Sequence, residues 1–131
     1  MRENVALAAE RRGVPGNVEK LLQELDLSAL SGRPAGQLSV GEGKRLELAR
    51  VLALEPALLL LDEPLAGLSP AAAERVSGAI ERRRREGAAV VWVEHGPAAG
   101  DLVSQLLVLE GGQIRFLGSP GDWEATREAP S

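Results

Sequence analysis

Two acids in succession, Asp62 and Glu63, close the greasy run LLLLDEP. Neighbouring side chains at a strand's end point in different directions, so the pair can serve separate roles. In phosphoryl transfer one carboxylate holds Mg²⁺, often through water, and another orients the attacking water. An open parallel sheet places its ligands at this end of its strands. The plainer alternative is a pair of acids capping the turn that follows. Ser39-Val40-Gly41-Glu42 also has two readings. Ser-x-x-Glu is a capping box, in which each side chain answers the other's backbone N–H at a helix start. The same start, with its unpaired N–H groups, the Ser39 hydroxyl and the positive end of the dipole, suits a phosphate. The two are compatible, because the cap organises the surface that binds. His95, the single histidine, follows VVWV and so also stands at a strand's end. A lone histidine is equally at home as an ordinary surface or core residue.

Two further features invite chemistry and are set aside. Arg82 to Arg85 lies late in a helix, with Glu81 and Glu86 alongside. Four consecutive positions wrap all sides of a helix, so a solvated end that complements the dipole accounts for them better than a nucleic-acid stripe. Gly43-Lys44 mimics the end of a phosphate-binding loop, G-x-x-x-x-G-K-[ST]. The first glycine would fall on Leu38, Arg45 follows the lysine, and no strand precedes it. No such loop occurs anywhere in the 131 residues.

The scaffold for these residues is short. A chain of 131 residues, 44% hydrophobic and 26% charged, suits one globular domain. A net charge of −4 gives no overall basic field towards nucleic acid or anionic lipid. Without cysteine there is neither disulfide nor thiolate chemistry. The N-terminus MRENVALAAERRG puts Glu3, Asn4 and Glu10 where a signal peptide needs an apolar core. The apolar runs Ala57 to Leu61 and Ala88 to Val93 fall far short of the ~20 residues that span a bilayer. A cytosolic soluble chain is expected.

Along the chain, residues 2–12 read as a short helix ended by Gly13 and Pro15. Residues 17–30 read as one amphipathic helix, with Val18, Leu21, Leu22 and Leu25 at helical spacing and Asn17 as N-cap. A loop over 31–37 precedes a helix that runs to Pro56. The run 57–61, too short for a helix, predicts a buried strand of a parallel sheet. Ser69-Pro70 opens a further helix, closed by Gly87, and Ala89 to Val93 predicts a second buried strand. Residues 104–110 and 113–117 predict a hairpin around Gly111-Gly112, after one more helix. The pattern is an α/β half preceded by a helical segment.

Taken in order, LSVGEGKRLELARVLALEPALLLLDEPLAGLSP and VVWVEHG resemble the ATP-binding cassette (ABC) ATPase family. Residues 38–42 are similar to its signature motif, 58–63 to Walker B, 66–70 to the D-loop and His95 to the switch histidine. LLVLEGGQIRFLGSP resembles the closing hairpin and ENVALAA the start of the helical subdomain. RLELAR and Glu94-His95 most resemble the ATPase subunits of branched-chain amino-acid importers. The resemblance implies a partial P-loop NTPase fold of α/β class. Residues 1–52 would be a helical subdomain segment ending in the signature helix. Residues 53–131 would be part of the RecA-like core, with the P-loop strand missing.

It also implies a nucleotide sandwich, with two ATPs held between two cassettes. Ser39 and Gly41, within Ser39-Val40-Gly41-Glu42, would contact the γ-phosphate of ATP held by a partner cassette. Asp62 would help coordinate Mg²⁺, Glu63 would act as general base and His95 would contact the γ-phosphate. Gly67, Leu68 and Ser69 would cross the dimer seam. The partners implied are a second cassette and transporter membrane subunits, docked through roughly residues 1–50 at the inner face of the cell membrane; nucleic acid is not expected.

The sequence departs from the family pattern at Val40, where glycine is usual, at Ser69 for the D-loop aspartate, and at Gly96 for the aspartate after the histidine. The P-loop and glutamine loop, which family members carry upstream of the helical segment, are absent. The expectation is the second half of a cassette, with open strand edges, an apolar gap and negligible ATPase activity alone. A non-hydrolysing module that offers its signature face to a partner's ATP is the competing function, with a gene remnant beside it. A distal lobe of a DNA-repair or chromosome-organising ATPase ranks last, since the 37 residues before the signature hold no sustained heptad.

Overall fold

In the computed structural model, residues 1–13, 18–95 and 103–128 are described. They belong to two units, Met1–Glu94 and His95–Ser131. The first unit opens with α1 (Arg2–Arg12), which Gly13 closes at φ 71 by donating its N–H to the carbonyls of Ala9 and Glu10. That left-handed position is open to glycine without steric cost. Pro15 and Asn17, the expected breaker and cap, lie outside the described residues.

The single helix expected over 17–30 is instead α2 (Val18–Glu24), a turn, and a 3₁₀ helix at Ser28–Leu30. A Schellman ending stops α2: the Leu27 N–H donates to the Leu22 carbonyl at 2.7 Å and the Asp26 N–H to that of Gln23 at 3.1 Å. Asp26 takes φ 54, the place usually left to glycine. Leu22 and Leu27 are both buried, so leucine spacing continues across a helix that does not. A 3₁₀ helix at Ala35–Gln37 occupies part of the next loop.

The sequence then runs α3 (Val40–Ala53), β1 (Leu58–Asp62), α4 (Pro70–Arg85) and β2 (Ala89–Val93). The Ser69 hydroxyl caps α4 by accepting the Ala72 N–H at 3.3 Å. β1 and β2 pair in parallel, from Leu58 opposite Ala89 to Asp62 opposite Val93. Val5 and Ala9 of α1, Leu21 and Leu25 of α2, Ala49 and Leu52 of α3, Leu59, and Val76 and Ile80 of α4 form one core. The helices before residue 53 thus bury their apolar faces together with β1 and α4. Compactness therefore divides the chain after Glu94 rather than at 52/53.

The two strands are not buried on both faces, as a continuous apolar run predicts. Leu59 is 1% exposed, and Leu61, Val90 and Trp92 pack on the core beside it. Leu58, Leu60, Val91 and Val93, on the other face, are 52%, 70%, 52% and 51% exposed.

The arginine run is only half a solvated end. Arg82 donates to Glu24 of α2 at 2.7 Å, and Arg83 donates to the carbonyls of Glu55 and Pro56 at 2.8 Å each. Arg45 of α3 reaches the Leu25 carbonyl at the end of α2 at 2.9 Å. Arg83 and Arg45 thus satisfy backbone carbonyls that follow α3 and α2, while Arg82 pairs with a side-chain carboxylate. Arg84 and Arg85, at the surface, pair with Glu81.

The second unit holds β3 (Leu106–Glu110) and β4 (Gln113–Gly118), antiparallel, with a register shift between Val108 and Leu109. Gly111 and Gly112, at φ 57 and 77, make the expected turn. α5 (Pro120–Glu128) follows without having been anticipated. Its signal was present, for Ser119-Pro120 repeats Ser69-Pro70, and the Ser119 hydroxyl accepts the Asp122 N–H at 3.2 Å. The rings of Phe116 and Trp123 meet at 5.3 Å. The helix expected between β2 and the hairpin falls at 96–102, outside the described residues.

Two outcomes follow for stability. Leu59→Ala should cost about 2–5 kcal/mol in urea unfolding, whereas Leu60→Thr should stay within about 0.5 kcal/mol and raise solubility. The bond from Arg84 is the main cause that lowers the Glu81 carboxyl from 4.5 to about 2. Its contribution is therefore full above the unfolded value and lost as pH falls through the folded one. The melting temperature should drop between pH 4.5 and about 2, and Glu81→Gln should lessen that drop.

Candidate functional site

β1 delivers Asp62 and Glu63 to the end of the parallel pair. Asp62 keeps strand geometry and sits exposed, two positions beyond Leu60 on the bare face. Glu63 leaves that geometry: its φ is 45 and its N–H donates to the Val93 carbonyl at 2.9 Å. A left-handed residue with a Cβ costs roughly 1 kcal/mol or more. The turn it begins is bonded throughout, with the Ala66 N–H on the Glu63 carbonyl at 3.2 Å and the Leu68 N–H on that of Leu65 at 3.1 Å. Gly67, at φ 74, completes it. The two acids thus stand on different backbone geometry, Asp62 in the strand and Glu63 in the turn.

Among the described residues no group of three or more His, Cys, Asp or Glu side chains could hold a metal ion. A Mg²⁺ on Asp62 would take its other ligands from water and phosphate oxygens, which suits an ion that arrives with a nucleotide. Beside the acids lies an open cavity of about 220 Å³, whose lining includes Lys44, Glu47, Val51, Leu60, Asp62 and Glu63.

The capping box is present. The Ser39 N–H donates to Glu42 Oε2 at 2.7 Å, and the Glu42 N–H to Ser39 Oγ at 3.3 Å. The Ser39 N–H, followed by the Ser39 side chain, holds the Glu42 carboxyl below its usual range. The N–H groups of Val40 and Gly41 are among those that a helix start leaves without an internal acceptor. Val40 is 79% exposed.

This helix start lies against the turn after β1. A Cβ on Gly41 would stand 3.5 Å from Leu68 Cδ2. Lys44 Nζ donates to the Ala66 carbonyl at 2.6 Å. One unit thus gathers Ser39 to Glu42, the Asp62-Glu63 pair and Gly67, Leu68 and Ser69, while His95, exposed, begins the other. Sequence reasoning missed Lys44 and Glu94 as parts of this arrangement. As a sequence signal Lys44 offers only a false P-loop ending, and Glu94 only its place before His95. Glu94 Oε1 accepts the Leu65 N–H and the Trp92 indole N–H, each at 3.2 Å.

A family model described as ABC transporter matches residues 1–66. The chain is 37% identical over 129 residues to the sulfate/thiosulfate import ATP-binding protein CysA of Mycobacterium bovis, aligning 93% of itself with 37% of that protein. It is 34% identical over 127 residues to the spermidine/putrescine import ATP-binding protein PotA of Pseudomonas fluorescens, aligning 92% with 35%. Against the energy-coupling factor transporter ATP-binding protein EcfA1 of Symbiobacterium thermophilum it is 32% identical over 126 residues, aligning 92% with 44%. The solved ADP conformation of MJ1267, an ATP-binding cassette of an ABC transporter, matches with TM-score 0.70 and 28% identity, over 92% of this chain and 55% of that one. The chain spans less than half the length of these relatives and about half of that structure.

Loss of the cap is separable from loss of an anion site. Ser39→Ala should cost about 1 kcal/mol in urea unfolding, while Ser39→Asp, an equally good cap, should stay within about 0.5 kcal/mol.

Proposed function

The chain belongs to the ABC transporter ATP-binding family, and from that premise we propose that it forms the signature-bearing half of an ATP-hydrolysing transport subunit. The observation that carries this reading is the capped start of α3 set against the turn that begins with Glu63, in one unit. Its α/β fold is that of the family's cassettes.

In this reading the Ser39 hydroxyl and the N–H groups at the start of α3 bind the γ-phosphate of ATP carried by a second cassette. Asp62 holds Mg²⁺, which when bound offsets charge on the phosphates. Glu63 takes the proton of the attacking water. His95 contacts the γ-phosphate. Gly67 to Ser69 lie at the seam between cassettes, where Ser69 also caps α4. The functional division follows residue 52: a helical segment that docks on membrane subunits, then a partial core. No helix among the described residues is long and apolar enough to cross a membrane. The subunit's place in this proposal is peripheral, at the cytoplasmic face.

Branched-chain amino-acid import rests on RLELAR and Glu94-His95 alone. The relatives above are named for sulfate/thiosulfate and spermidine/putrescine import. A second reading rests on the exposed, capped start of α3 alone. Here the chain contributes its signature face to a complete partner and hydrolyses nothing itself.

Purified chain should release phosphate from Mg²⁺-ATP at background rate. Clear turnover that Glu63→Gln abolishes would overturn this. Association with an ATP-loaded complete cassette, followed by light scattering, should be lost in Ser39→Arg and kept in Glu63→Gln.

A further inference from the structure

The turn after β1 has two backbone groups that charged side chains answer. The Leu65 N–H meets Glu94 from the end of β2, and the Ala66 carbonyl meets Lys44 from the second turn of α3. Bonds with a charged partner are the stronger kind. Glu94 is itself oriented, because the same carboxylate oxygen also accepts the Trp92 indole N–H at 3.2 Å. Immediately before these anchors stands Glu63 at φ 45. A non-glycine residue keeps such a conformation only where its surroundings over-determine it. Its N–H and carbonyl are both bonded, to Val93 and Ala66, and two peptide groups further along the turn are held by Glu94 and Lys44.

We propose that Lys44 and Glu94 are positioning residues, a two-sided clamp that holds the Glu63 turn in its left-handed form and ties it to α3. Lys44 is five residues from Ser39 on a continuous helix, and Gly41 lies against Leu68. A displacement of the helix start is thereby passed to the turn through one ammonium–carbonyl bond. The catalytic meaning of the clamp rests on the role proposed for Glu63. The clamp itself does not, and its test needs neither nucleotide nor hydrolysis, so an inactive chain would tell against that role and leave the clamp standing.

The chain has two tryptophans, Trp92 and Trp123. Trp123→Phe leaves Trp92 as the single emitter. In that background Glu94→Ala should shift the Trp92 emission and speed amide exchange at Leu65 by at least about tenfold, the loss of roughly one such bond. Glu94→Gln retains an acceptor of the same reach and should stay within about threefold of the parent. Lys44→Met should speed exchange at Leu68, bonded within the same turn, and Lys44→Arg should restore it. Emission and exchange unchanged in both Glu94→Ala and Lys44→Met would overturn the clamp. Failure of the conservative variants to rescue would do so too. Should Glu94→Ala not fold, the parent decides. Its Leu65 amide and Trp92 indole must exchange at least about tenfold more slowly than in the urea-unfolded chain, and equal rates refute the proposal.

Discussion

Parallel pairing of β1 with β2 is the constraint on which the first unit depends. Parallel strands cannot be joined by a tight hairpin, so the chain must cross over, and α4 is that crossover. Both strands then finish at the same end. This is why the Glu63 N–H meets the Val93 carbonyl there, and why Glu94 is within reach of the turn that leads into α4. The crossover must also lie back on the sheet, which buries Val76, Ala79 and Ile80 against Leu59. Its far end is secured by Arg82 and Arg83, which bind α2 and the link between α3 and β1.

A site built at the open end of a parallel pair needs a second wall, and α3 provides it. Its N-terminus is held by reciprocal bonds of Ser39 and Glu42, and its second turn by Lys44 on the Ala66 carbonyl. The capped start of α3 and the turn that begins with Glu63 are thus bonded to each other within one unit.

Local signals were legible wherever one residue type has one use. Gly13 ends α1, Ser69-Pro70 starts α4, Gly111-Gly112 turns the hairpin, and Ser39 with Glu42 forms the box. Legibility failed where a residue stood in for another. Asp26 took a glycine's place, so leucine periodicity ran past the true end of α2. It failed also where a side chain answered a distant backbone group: Arg83, Lys44 and Glu94 each find partners more than twenty residues away. The exposed faces of Leu58, Leu60, Val91 and Val93 were unreadable for a different reason. Composition registers that a strand is apolar, not which neighbours cover it.

The cap on α4 has an evolutionary side. Position 69 opens a helix of sixteen residues and must supply an oxygen to the Ala72 N–H. Serine, threonine, aspartate and asparagine do this; most other residues do not. Exchange between aspartate and serine there leaves the crossover's foundation untouched while altering the charge presented outwards. The residues that can stand at position 69 are thus set first by the cap that α4 needs.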